Sequence, residues 1–356
     1  MDRMLRLLFG AAFLALAAGA CEGPRGPAGP EGDQGPPGPP GPDAQSQCSD
    51  CHAADQTLVT IQQQLALSPH GFGTFELRGP DYAGGACISC HTHQGFVAAA
   101  TGTTADFSAG VASVNCRTCH QIHTTMQGQD FALTTTGTVD LTLGDASVDF
   151  GSGAVCATCH QARVPSVLPT VGGGGQTEIP RRFGTHNGPQ ATVFAAGPGL
   201  PVFYGSEPVP DAPFLSHVTF AGTVAETCVG CHMQVPAGND AGGHTWNMVY
   251  SGGTVLNDGT CDACHVDVTA AYNDITGRVR ALMDDLEACL FAEGVVDAGG
   301  SANTGATVDD DLLAAYLIFQ TLNADGSNGA HHPEYVPAIL SNANQYLDAT
   351  YPACAP

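Results

Sequence analysis

One pentapeptide pattern, Cys-x-x-Cys-His, recurs six times: Cys48/Cys51/His52, Cys87/Cys90/His91, Cys116/Cys119/His120, Cys156/Cys159/His160, Cys228/Cys231/His232 and Cys261/Cys264/His265. The spacing has a chemical cause. Two thiols three residues apart on one turn can each add to one vinyl group of a porphyrin. The His beside the second thiol then turns its imidazole toward the iron as proximal ligand. A zinc ribbon also uses Cys-x-x-Cys pairs, but it has no need of the adjoining His in every copy. A redox dithiol comes once per domain beside a βαβ pattern, which this chain lacks. Six covalently attached haem c groups are expected, anchored by twelve Cys and six proximal His.

Covalent tethering removes the need for deep side-chain pockets, and the composition agrees. The 356 residues include 46 Gly and 24 Pro, and only 12% are charged. The expected fold class is a multihaem cytochrome c, mostly loops and short helices wrapped around haems, with one short β-hairpin and C-terminal α-helices. The net charge is −24, and all ten basic residues are Arg. Such a chain repels phosphate, which excludes electrostatic nucleic-acid binding. Cationic partners, metal cations and mineral surfaces suit it, although acidity also serves solubility alone. With no Lys in the sequence, a Lys-ligated haem is excluded.

The N-terminus reads as an address. Arg3 and Arg6 precede the uncharged apolar run from Leu7 to Ala20, too short to span a bilayer comfortably and typical of a secretory signal over residues 1–20. Ala18-Gly19-Ala20-Cys21 is similar to a bacterial lipobox, with Ala18 where Leu is usual, and makes Cys21 the expected lipidation site; a plain signal-peptidase site is the alternative. Gly23, Gly26, Gly29, Gly32, Gly35, Gly38 and Gly41 then keep strict period three among Pro-rich neighbours. Residues 21–43 are thus a lipidated Cys plus a collagen-like spacer. A single polyproline-II strand of about 60 Å fits this segment, as does a short collagen-like trimer.

Fourteen His are present, and six are proximal. The remainder, His70, His93, His123, His186, His217, His244, His331 and His332, exceed the six second axial ligands that the irons require. Every iron can therefore be bis-His. In Cys119-His120-Gln-Ile-His123 the two imidazoles, read as neighbours on a helix, face one way and cannot share an iron, so His123 is assigned to an adjacent haem. His93 reads as a spare.

Taken in order, these motifs resemble the multihaem cytochromes c of metal-respiring bacteria, distantly related to octahaem hydroxylamine and nitrite-type enzymes. The resemblance spans most of residues 48–346. It rests on Ser68-Pro-His70-Gly, Cys119-His120-Gln-Ile-His123, Phe183-Gly-Thr-His186-Asn-Gly-Pro-Gln190, Leu215-Ser-His217, Cys231-His232-Met233, Gly242-Gly-His244-Thr and Gly329-Ala-His331-His332-Pro333. Carried over by position, it implies a distal set of His70, His123, His186, His217, His244 and His331. The family often has Asn where His332 stands, so an exchange between His331 and His332 stays open.

Outside the motifs, Val139, Leu141 and Leu143 alternate, Gly144-Asp145 turns, and Val148 and Phe150 alternate again, which predicts a hairpin. Gly172 to Gly175 reads as a flexible loop, and the long stretch between the fourth and fifth motifs reads as folding back over earlier haems. Three C-terminal helices are expected. One follows Asn273 as cap and carries Ile275, Val279, Leu282, Met283, Leu286, Cys289 and Leu290; one runs near Asp310–Leu322; one begins at Pro333. Cys289 and Cys354 lie outside all motifs, and an oxidising compartment favours a disulfide between them. The expected division is a hexahaem-binding domain over 44–270 and a C-terminal helical segment over 271–356 packed on it.

These observations fit an electron carrier rather than an enzyme, with other redox proteins, metal oxides or cations as partners and a lipid anchor on the membrane. The expected location is the outer membrane or cell surface, with the periplasmic face as alternative. The resemblance keeps two further classes open. One is a reductase of nitrite, hydroxylamine or a sulfur oxyanion, and the other is a homo-oligomer or filament with shared ligation.

Overall fold

The computed structural model describes residues 56–71, 87–126, 128–215, 217, 227–235, 240–250 and 256–355. The signal sequence, Cys21, the Gly-x-y spacer and the first motif (Cys48, Cys51, His52) lie outside the described residues. One compact unit runs from Ser46 to Pro356.

In chain order, α1 (Gln56–Leu67) leads to α2 (Ile88–His91), α3 (His93–Thr101) and α4 (Cys116–Cys119). Strands β1 (Thr138–Leu141) and β2 (Ala146–Asp149) precede α5 (Ala154–Ala157). Next come β3 (Gln176–Glu178), α6 (Gln190–Phe194) and α7 (Thr227–His232). The chain ends with α8 (Val268–Ala292), β4 (Thr307–Asp309), α9 (Asp310–Asp325) and α10 (Tyr335–Thr350).

The main core sits at the C-terminal end. Helix α9 is apolar around its whole circumference: Leu312, Leu313, Ala314, Ala315, Tyr316, Leu317, Ile318 and Phe319 are all buried. A helix of that kind must be surrounded. Side chains of α8 and α10 cover it, together with Ile179, Phe183, Val193, Leu200 and Phe203 from the middle of the chain. Asp310 and Asp311 occupy its first turn, where the helix dipole favours negative charge, and Gly326 ends it in a left-handed cap at φ 73°. A disulfide joins Cys289 in α8 to Cys354 beyond α10.

A smaller core orients the fourth motif. The hairpin pairs Val139 with Val148 and Leu141 with Ala146. Its inner face (Val139, Leu141, Val148, Phe150) packs on Ala154 and Ala157, the residues flanking Cys156.

Several sequence expectations change. The first C-terminal helix starts at Val268, capped by the Asp267 side chain accepting from Ala270 N–H at 2.9 Å, not at Asn273. It therefore crosses the expected boundary between 270 and 271. The second helix reaches Asp325, and the third begins at Tyr335 rather than Pro333. A second two-stranded sheet, β3 with β4, accompanies the hairpin. It ties down the glycine run expected to be loose: Gly172 N–H donates to Asp311 Oδ1 at 2.6 Å, and Asp310 N–H to the Gly175 carbonyl at 2.9 Å.

Candidate haem-binding site

Each described motif is a single turn, and the backbone shows why. The N–H of His120 donates to Cys116 O (2.9 Å), that of His160 to Cys156 O (2.8 Å) and that of His265 to Cys261 O (2.9 Å). This i→i−4 closure gathers two thiols and one imidazole on one side of the turn. In α4 the turn is started by Asn115, whose side chain accepts from Arg117 N–H while Thr118 Oγ1 accepts from Asn115 N–H. None of the ten described motif Cys takes part in a disulfide.

The sixth motif differs from the other described ones. Its turn is a 3₁₀ turn over Cys261–Ala263, and Cys264 falls just beyond it at φ −125°, ψ −29°. The N–H of Cys264 donates to Cys261 O at 3.0 Å. Cys264 is exposed, and so is His265, whereas the second thiols of the other described motifs, Cys90, Cys119, Cys159 and Cys231, are partly covered. The cause is position. The helix that follows, α8, leaves its first two turns largely exposed, so among the described residues no packed face lies over Cys264. The sequence treats Cys264 like the other anchors; the fold sets it at the surface, and its part in holding a haem rests on the motif rather than on an enclosing site. Cys116, the first thiol of the third motif, is exposed as well.

The fold brings a second His to face four of the proximal ones. Ring centroids are 6.2 Å apart for His91 and His186, 6.2 Å for His120 and His244, 6.0 Å for His160 and His70, and 6.1 Å for His232 and His331. A metal–imidazole bond of about 2.0–2.1 Å on each side, with about 1 Å from nitrogen to ring centre, separates two axial rings by about 6 Å. The donor set therefore fits a six-coordinate metal whose remaining ligands come from a flat macrocycle. Among the described residues, no cluster of three or more His, Cys, Asp or Glu forms a metal site of its own.

The pairs are braced from behind. Nδ1 of His120 contacts Phe131 O at 2.8 Å, Nδ1 of His232 contacts Trp246 O at 2.8 Å, and Nδ1 of His160 contacts Gln190 Oε1 at 3.1 Å. Each contact fixes a ring with Nδ1–H donating outward and Nε2 left as the metal-facing atom. Burial, the largest influence on each, disfavours the charged form: His160, His186, His232 and His244 are pushed down from their ordinary value, and His70 falls to about 4. His331 differs. Burial alone would lower it, but the charge and hydrogen bond of Asp325, 2.6 Å from Nδ1, outweigh burial and raise it. Asp325 is itself buried and is held by Ser327 Oγ at 2.5 Å.

Burial first, then the charge of His265, lower His217. The long stretch between the fourth and fifth motifs sends His186 back to the second motif. His123, His186 and His217 have φ of 66°, 68° and 61°, a left-handed backbone uncommon for non-glycine residues. The His123 loop is pinned by the Asp130 carboxylate, which accepts from Thr125 N–H (2.7 Å), Thr125 Oγ1 (2.6 Å) and Met126 N–H (2.9 Å).

The helical reading of His120 and His123 does not hold: α4 ends at Cys119, and His120 is extended at φ −122°, ψ 152°. Their rings part because the backbone turns, and His120 faces His244. His331 and His332 lie in different surroundings. His331 faces His232, whereas His332 is fully buried with Nε2 against Phe214 O (3.2 Å) and Nδ1 accepting from Tyr335 N–H (3.1 Å). His93 is bonded through Nδ1 to Thr118 Oγ1 at 3.1 Å. Sequence reasoning missed Asp325, Gln190 and Trp246. Only Asp325 carried a hint, as an acid closing an apolar helix shortly before a candidate ligand.

No family profile and no curated protein matches the chain. Among solved structures it is similar to the crystal structure of outer cell wall cytochrome OcwA, at 20% identity and a TM-score of 0.50, over 80% of this chain and 49% of that one. The fold is cytochrome-like. The chain spans about half the length of that neighbour. No helix among the described residues is long and apolar enough to cross a membrane.

Proposed function

We propose that this chain carries electrons through six haem c groups, each anchored by one Cys-x-x-Cys-His motif and ligated by two His. The observation that carries the reading is the set of four ring pairs at 6.0–6.2 Å, each joining a motif His to a His from a distant part of the chain. The axial pairs are His91 with His186, His120 with His244, His160 with His70, and His232 with His331. His217 and His123 remain as the further distal ligands of the proposed set. Haem supplies the one-electron couple when bound; the chain's residues hold the rings, exclude other donors and set the charge around them.

With an imidazole on both sides, the iron offers substrate no open position, which favours an electron carrier over a reductase. The exported, cell-surface location follows from the signal-like N-terminus and agrees with the printed name of the structural neighbour, an outer cell wall protein. Redox proteins and extracellular metal oxides are the partners that suit the acidic charge. Electron paramagnetic resonance of the oxidised holoprotein, beside its intact mass, tests the reading. The expected result is six haem increments in mass and low-spin signals only. A high-spin component that shifts with nitrite or cyanide would overturn bis-His ligation and favour the reductase.

A further inference from the structure

The motifs do not follow one another in space as they do in sequence, and three separate contacts converge on the fourth. The first joins it to the second motif. The Cys90 and Cys159 thiols are in hydrogen-bond contact, and each also approaches the other motif's backbone: Cys90 Sγ lies 4.0 Å from Thr158 O, and Cys159 Sγ 3.7 Å from Ser89 O. The second joins it to the fifth motif. The Cys156 and Cys228 thiols are in hydrogen-bond contact, and Thr227 Oγ1 donates to Phe150 O at 2.6 Å just upstream of α5. Gly153 makes this approach close, because a Cβ there would collide with Thr227 Oγ1.

The third contact runs through the only Trp of the chain. The Trp246 ring lies edge-on to His70, the ring facing His160, at 4.9 Å, and edge-on to His244, the ring facing His120, at 5.7 Å. One indole thus touches the far-side imidazoles of the third and fourth pairs, and its carbonyl receives His232 of the fifth. Gln64 of α1 adds a brace by accepting from His244 N–H at 3.0 Å, so the segment that carries His70 also holds His244. Among the described residues the sixth motif is tied to the fifth: Thr260 Oγ1 donates to Gly230 O at 2.5 Å, and Gln234 bonds Thr260.

We propose that the electron path branches at the Cys156–His160 site. Among the described motifs its neighbours are the second, third and fifth sites, Trp246 bridges to the third, and the sixth site is reached through the fifth. Haems attached through these sulfurs would have their edges near one another, because each thioether would join the porphyrin at its edge. A branch lets one donor feed two exits, or two donors feed one. At every hop one electron leaves a reduced site and arrives at an oxidised neighbour. A reduced redox protein supplies it at one branch, and an oxidised redox protein or metal oxide accepts it at another. This inference rests on the haem reading above.

The test is iron mapping by anomalous X-ray scattering or cryo-electron microscopy of the full-length holoprotein, with Trp246→Ala and Trp246→Phe compared for electron equilibration after partial reduction by flash photolysis. Expected are an iron at the fourth motif adjacent to those of the second, third and fifth, loss of fast equilibration with the third site in Trp246→Ala, and its retention in Trp246→Phe. An iron map with the fourth site at an end, or with only two neighbours, overturns the branch. Unchanged equilibration in Trp246→Ala overturns the bridge. A correct haem count with a different iron order sinks this inference alone, whereas a deficient count or a high-spin iron sinks the bis-His reading instead.

Discussion

Replacing Asp325 with Asn removes one buried negative charge and leaves the hydrogen bond in place, because the amide oxygen can still accept from His331 Nδ1–H. In the native chain the carboxylate lies 2.6 Å from Nδ1. The imidazole ring and a metal bond of about 2 Å put the charge roughly 7 Å from a metal at Nε2. At an effective dielectric of about 20, a unit charge at that distance interacts with another by about 2.4 kcal/mol, which for a one-electron couple is roughly 100 mV. The sign is fixed: a carboxylate favours the more positive, oxidised iron, so its removal raises the midpoint potential of the haem held by His232 and His331. Asp325 is only 5% exposed, so salt screens the effect little. Potentiometric titration followed by visible and paramagnetic resonance spectra should show one midpoint moving up by about 0.1 V, with the others and all low-spin signals unchanged. If no midpoint moves, the charge does not act on that site. If a high-spin signal appears instead, Asp325 holds the ring in place rather than tuning the metal.

Three further outcomes follow from the geometry. Cys289→Ser with Cys354→Ser opens a loop of sequence separation 65; the chain-entropy relation predicts a loss of about 4 kcal/mol in denaturant titration, with the haem spectrum of the folded protein intact. His331→Ala should convert one haem to high spin, whereas His332→Leu should leave every haem low-spin and lower unfolding stability by about 1–3 kcal/mol through the lost partners of Phe214 O and Tyr335 N. The Tyr335 hydroxyl is buried and has no hydrogen-bond partner among the described residues; Tyr335→Phe should raise stability by about 1 kcal/mol in the same assay.

The elements legible in the sequence are those whose cause is local. A Cys-x-x-Cys-His turn closes on itself through one backbone hydrogen bond, and the hairpin around Gly144-Asp145 needs only its own alternation. The C-terminal stripes were visible because apolar residues at helical spacing have nowhere to go but inward. The limits of α8 were not visible: its first two turns are largely exposed, so the apolar period begins at Ile275 although Asp267 starts the helix. The exposure of Cys264 was equally hidden, since the pentapeptide is the same whether or not a neighbouring segment covers it. The pairing of β3 with β4 escaped notice because each strand has three residues and its partner is far along the chain. The Gly172–Gly175 run looked loose for the same reason, since its anchors, Asp310 and Asp311, belong to another helix. The His count announced that enough second rings exist, and the resemblance named which ones. Neither stated who faces whom, because each pair closes only when remote segments pack. The left-handed backbone at His123, His186 and His217 likewise follows from the loops that hold these rings and leaves no mark in the local sequence.

The four facing ring pairs also bear on maturation. Three of the motif imidazoles, His91, His120 and His232, precede their opposite ring in the chain, and only His160 follows its own. On the proposed haem reading, a translocating polypeptide would receive its cofactors at these three motifs before the opposing rings arrive, whereas His160 would find His70 already upstream of it. Every such closure staples two stretches that the unfolded chain holds far apart, and its loop-closure entropy then works for the native state in the manner of a cross-link. Prosthetic groups held in this way would be rivets of the scaffold as well as its conductors.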